Sequence, residues 1–136
     1  MGIFKVALIG FFMVFHCAAS LQAAEGDDQL FQDKALEMLR YSVSLRTAAG
    51  WGLVPKLATY LADEFKKAGF EEQDVQILPM GKTASPVVRF RGDGRMGKKP
   101  ILLSAHMDVV DAFPEDWERD PFTLIEENGF YFGRGS

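Results

Sequence analysis

The hydrophobic pattern of this chain changes period at Gly69, and that change restricts the fold more than any other feature. Before it, Val54, Leu57, Ala58, Leu61, Ala62, Phe65 and Ala68 recur at intervals of three and four residues, the spacing of one buried helical face. Pro55 falls in the first turn, which tolerates proline. Lys66 and Lys67 favour the negative end of the helix dipole, and Gly69 supplies a stop. An earlier helix is predicted from a cap at Asp27 or Asp28 to about Leu45, with Leu30, Phe31, Ala35, Leu36, Met38 and Leu39 as its apolar positions. Ala49-Gly50-Trp51-Gly52 reads as the connecting turn. Beyond Gly69, Asp74 to Leu78, Pro86 to Arg91 and Pro100 to Ala105 are expected strands between Gly- and Lys-containing turns. Within the last of these, Ile101-Leu102-Leu103 suits a central strand covered on both faces. Phe122 to Glu126 and Phe130 to Gly133 flank Glu127-Asn128-Gly129, a hairpin signal. The expected fold class is α/β: two helices, then a mixed sheet and a terminal hairpin.

Residues 1–24 stand apart from this unit. Lys5, the apolar stretch Val6 to Phe15 and the small residues through Ala24 have the layout of a cleavable secretory signal peptide, cut after Ser20 or Ala24. The stretch is shorter than the roughly 20 apolar residues of a membrane helix, so no stable span is expected after cleavage. Residues 25–136 then form one continuous domain of an exported protein, periplasmic or secreted. The only cysteine, Cys17, lies in the leader, which leaves the mature chain without a disulfide framework. His16 stands before it, where a lipoprotein site takes a small residue. The formal net charge is −4, with no basic stretch, which argues against a nucleic-acid partner. The 12 Phe residues carry more apolar surface than a disordered tail.

Chemistry concentrates where the apolar run meets Ser104-Ala105-His106-Met107-Asp108. An imidazole and a carboxylate two residues apart share one face of an extended backbone, and open α/β sheets place ligands outside the carboxyl ends of their strands. Zinc takes a neutral imidazole nitrogen, and a metal-bound His commonly donates its other ring N–H to a carboxylate. By itself His-x-Asp serves a structural hydrogen-bonded pair as well. Three other features have plainer readings. Arg91-Gly92-Asp93 lies in a Gly-rich turn. Gly133-Arg134-Gly135-Ser136 lacks the lysine and frame of a phosphate loop. The acidic stretch Asp111 to Asp120 does not have calcium-loop spacing, and reads as a surface loop anchored by Phe113, Trp117 and Phe122.

Pro100-Ile-Leu-Leu-Ser-Ala-His106-Met-Asp108-Val-Val110, followed by Trp117, Asp120-Pro121-Phe122, Gly129, Tyr131 and Gly133-Arg134-Gly135-Ser136, resembles the zinc aminoacylase and glutamate carboxypeptidase family. Acetylornithine deacetylase and succinyl-diaminopimelate desuccinylase belong to the same group. The resemblance implies the N-terminal part of a dizinc-peptidase catalytic domain, with His106 a zinc ligand and Asp108 the catalytic carboxylate that supports it. It implies two zinc ions, with cobalt as a substitute, that polarise an amide carbonyl and generate hydroxide. The implied substrates are small peptides, cleaved in carboxypeptidase or dipeptidase fashion, or N-acyl amino acids. The family continues after Gly-Arg-Gly-Ser with a bridging Asp, a catalytic Glu pair, a lid and dimerisation domain and a final His. Residues 1–136 alone are therefore expected to be inactive and poorly soluble, and a homodimer is expected only at full length. The alternatives are a non-catalytic truncated product and a small exported α/β binding module in which His106 and Asp108 are a structural pair.

Expression with the leader in a secreting host is expected to yield a product lacking its first 20 or 24 residues. Intact-mass measurement of the exported chain checks this.

Overall fold

The computed structural model of the chain describes residues 28–95 and 97–136. The expected leader, Cys17 and the Asp27 cap lie outside the described residues. The chain divides into two units, Met1–Leu39 and Arg40–Ser136, and the division falls within helix α1, residues 28–44. In the first unit, residues 28–39 are helical and Asp28 is already inside the helix. Leu30 and Phe31, expected on a buried face, are exposed. This part is tied by polar neighbours one turn apart, with Gln29 Nε2 donating to Asp33 at 2.8 Å and Lys34 paired with Glu37 at 3.1 Å.

In the second unit, α2 spans Val54–Lys67 with Pro55 in its first turn. Its end is a Schellman cap. Gly69, at φ +94°, donates to the Lys66 carbonyl at 3.0 Å, and Phe70 donates to the Phe65 carbonyl at 3.1 Å. The Phe65 and Phe70 rings meet edge-on at 5.2 Å, the apolar contact that accompanies this motif. A short 3-10 turn, Glu72–Asp74, leads into strands β1 (Val75–Met80) and β2 (Thr83–Val88), which pair antiparallel from Val75↔Val88 to Met80↔Thr83. Helix α2 packs on both strands, and buried Leu57, Ala58 and Ala62 on the helix, with Val75 and Ala84 on the strands, mark the core between them.

These strands run closer to their turn than expected and pass through Pro79 and Pro86. A two-stranded sheet has an open edge on each strand, where a residue without an N–H is tolerated. Asp74 closes the far end: its carbonyl accepts the Arg89 N–H at 2.9 Å, and its buried carboxylate accepts the Arg91 Nε–H at 2.6 Å. Arg91 of Arg91-Gly92-Asp93 is thus occupied within the fold.

The expected third strand is not formed. Residues 100–110 have no strand structure, and Ile101, Leu102 and Leu103 are 87%, 88% and 90% exposed. A central strand needs neighbours on both sides, and the sheets among the described residues are two separate antiparallel pairs rather than one mixed sheet. The terminal hairpin forms about the expected turn, with strands shorter than expected and Glu127 in the first of them. Strands β3 (Ile125–Glu127) and β4 (Phe130–Phe132) pair across Asn128 and Gly129, at φ +53° and +78°, the two left-handed positions of a type I′ turn. The acidic loop carries a 3-10 turn, Pro114–Asp116. Its expected anchors Phe113 and Trp117 are exposed, whereas Ala112, Pro121 and Leu124 are buried. Among the described residues, no helix is long and apolar enough to cross a membrane.

Leu57 is 4% exposed at the centre of the α2 face. Leu57→Ala is expected to destabilise the second unit by about 2–5 kcal/mol, read as a lower urea midpoint.

Candidate functional site

His106 and Asp108 are brought together, though on irregular backbone rather than on a strand. The His106 Nδ1–H donates to the main-chain carbonyl of Asp108 at 2.6 Å, while the nearer Asp108 carboxylate oxygen lies 3.4 Å away. The carbonyl thus takes the part that the sequence assigned to the carboxylate. A ring that gives its Nδ1 proton to an oxygen leaves Nε2 with a free lone pair, the form able to accept a proton or bind a cation. The His106 side chain is 81% exposed. With Ser104 and Asp108 it borders a cavity of about 670 Å³ that also meets Val54 and Leu61 of α2 and Pro86 of β2.

The segment that carries these residues is anchored just after them, by groups that local spacing did not reveal. Asp111 accepts both arms of the Arg46 guanidinium, Nε at 2.6 Å and Nη2 at 2.9 Å. The Trp51 indole N–H donates to the same carboxylate at 3.1 Å and the Ala112 N–H at 3.0 Å. Arg46 lies 3.8 Å over the Trp51 ring and 5.2 Å from the Phe122 ring centroid, a stacked arrangement that suits a planar guanidinium. These bonds hold the Asp111 carboxyl at about 2, chiefly through the Arg46 hydrogen bonds and against the effect of burial.

The Gly133-Arg134-Gly135-Ser136 quartet comes to the same place. A Cβ at Gly135, where φ is +83°, would stand 2.9 Å from Val109 Cγ1, and one at Gly133 would stand 2.8 Å from Val43 Cγ1. Both glycines allow a close approach that a side chain would block. Arg134 between them is 3% exposed, donates Nη2–H to the Leu45 carbonyl at 2.6 Å and lies 5.4 Å from the Phe122 ring. Its Nε and Nη1 have no hydrogen-bond partner among the described residues. Residues far apart in the chain thus converge near Val109, and the one available signal was the quartet itself.

Zinc sites use three or four protein donors. Among the described residues no group of three or more His, Cys, Asp or Glu side chains is placed to hold a metal ion. The imidazole Nε2 and the Asp108 carboxylate have the donor chemistry of one corner of such a site but do not complete it.

The chain is similar to the probable di- and tripeptidase DUG2 of Saccharomyces cerevisiae, 32% identical over 131 residues. The alignment takes in 85% of this chain and 15% of that protein, so the chain spans a small part of the relative's length. No family model matches the chain. The similarity supports a relationship to a peptidase family.

A carboxyl held lower in the folded than in the unfolded chain adds stability that is fully present above its unfolded pKa and is lost as pH falls through the folded value. For Asp111 that window runs from the ordinary 3.8 down to about 2. Asp74 and Asp120, held low by Arg91 and by Thr123 respectively, add to the same loss. Asp111→Asn is expected to lower the melting temperature at neutral pH and to converge on wild type near pH 2. Melting curves between these limits check the sign.

Proposed function

We propose that this chain is the N-terminal part of the catalytic domain of an exported zinc-dependent metallohydrolase that cleaves amide bonds in small peptides or N-acyl amino acids. The observation that carries this reading is the His106 hydrogen bond to the Asp108 carbonyl. It keeps Nδ1–H engaged, leaves Nε2 free and sets the ring at the border of a cavity. The similarity to a probable di- and tripeptidase supports the same class of chemistry. In this reading His106 is one metal ligand and Asp108 the carboxylate beside it, and bound zinc supplies Lewis acidity. The remaining donors come from outside residues 1–136. The part of this chain is to fix the imidazole tautomer and to set the ring at the border of the cavity.

A second reading, a small exported α/β binding module with His106 and Asp108 as a structural pair, is favoured by the donor count alone. The two readings separate on the transcript beyond the codon for Ser136 and on its product. The metallohydrolase reading expects an open frame that continues with an Asp, a Glu pair and a distant His, and a product that holds zinc and hydrolyses dipeptides. His106→Ala in that product is expected to lower zinc content and abolish hydrolysis. A stop codon after Ser136, or zinc content and hydrolysis unchanged in His106→Ala, overturns it.

A further inference from the structure

We infer that Asp111, through its fork on Arg46 and its bond from Trp51, is a positioning residue that sets the His106 imidazole at the cavity. The inference rests on the reading of His106 as a functional group. Its ground is the lack of any other fixed structure around that residue. From Pro100 to Val110 the chain has no helix or strand, and Ile101, Leu102, Leu103 and Val110 are exposed. No sheet ladder therefore holds the backbone that presents the ring. The first fixed points lie on the C-terminal side: Val109 against Gly135, then Asp111, then buried Ala112.

Of these, Asp111 is the most constrained. Oδ1 accepts from Arg46 Nε and the Ala112 N–H, and Oδ2 from Arg46 Nη2 and Trp51 Nε1. A bidentate guanidinium–carboxylate pair fixes direction as well as distance. The Trp51 ring, with its centroid 3.8 Å from the guanidinium carbon, adds a second contact to Arg46. Arg46 and Trp51 both belong to the segment between α1 and α2, so that loop determines where the chain leaves the His106–Asp108 segment. The Nδ1–H bond to the Asp108 carbonyl survives only while residues 106–108 keep the local conformation that places that oxygen against the ring. Freeing Asp111 releases that conformation, and the ring then exchanges between its two tautomers.

Nitrogen-15 NMR of the imidazoles in the whole 136-residue chain, at about pH 8, above the ordinary imidazole range, reads this without any metal or substrate. His16→Gln distinguishes the signals of the two histidines. Wild type is expected to show His106 as a single tautomer with Nδ1 protonated. Trp51→Phe, which removes one bond of the four, is expected to blur that pattern in part. Arg46→Lys, which keeps the charge but not the fork, should blur it further, and Asp111→Asn should average it to that of a free imidazole. Slow amide exchange in the β1–β2 ladder reports whether each variant remains folded. The inference is overturned by averaged His106 signals in wild type, or by a single tautomer that persists in Asp111→Asn with the ladder intact. If Asp111→Asn loses the ladder, an unchanged His106 pattern in folded Arg46→Lys and Trp51→Phe overturns it equally. Loss of the tautomer in a protein whose whole gene product takes no zinc leaves the positioning role standing and removes the metallohydrolase reading.

Discussion

The ion pair between Arg46 and Asp111 joins positions 65 residues apart, and much of the second unit is arranged around it. The guanidinium is covered by Trp51 and lies near Phe113 and Phe122, so one cation organises aromatic side chains from the inter-helix loop and from the acidic loop. Arg134 approaches the other aromatic partner, Phe122, and reaches the Leu45 carbonyl. The Arg134 N–H donates to the Pro121 carbonyl at 2.7 Å, and Arg40 donates to the Leu124 carbonyl at 3.3 Å. Main-chain carbonyls at both ends of this region are thus met by arginines. The guanidinium bonds to the Leu45 and Leu124 carbonyls are charge-assisted and so stronger than neutral ones, whereas the bond to Pro121 comes from the Arg134 main-chain N–H.

The second source of order is the layer of α2 on the β1–β2 hairpin. Its buried side chains include three alanines, Ala58, Ala62 and Ala84. Small residues let helix and strands approach closely but bury little apolar area, and the hydrophobic contribution scales with that area. The layer is correspondingly thin and leaves apolar surface unburied, in Ile77, Leu78, Val87 and Phe90 as well as in the Ile101 run. The cavity beside His106 lies along this incompletely covered surface. Fold and candidate site therefore share a boundary: where the layer ends, the irregular segment with the imidazole begins.

Local features were readable wherever one short stretch contained the whole cause. The Gly69 cap needs only the helical period and a residue free to take positive φ, and the Asn128-Gly129 turn needs only two such residues between β-formers. The strand limits were misread at Pro79 and Pro86, since proline bars a residue from a strand only when its N–H is needed, which depends on the neighbour. Ile101-Leu102-Leu103 was misread for a related reason. An apolar run states a preference for burial, but a central strand also requires two partners. At the candidate site, His106 and Asp108 were legible as a pair, and the oxygen that takes the ring proton was not, because a carbonyl and a carboxylate two residues on are within reach of the same nitrogen.

The sequence by itself determined the two helices, the Gly69 stop of the second, the Asn128-Gly129 turn, the α/β composition of the chain and the identity of its imidazole–carboxylate pair. These follow from side-chain chemistry and backbone freedom within a few residues of each other. Only the tertiary structure decided that Asp111 belongs to Arg46 and Trp51, that Arg134 is buried against Leu45, and that Gly135 meets Val109. Those contacts span tens of residues, and no local period encodes which distant charge will find a given carboxylate. That depends on how the intervening chain folds back, which the packing of α2 on its hairpin and the closure of the C-terminal loop establish together.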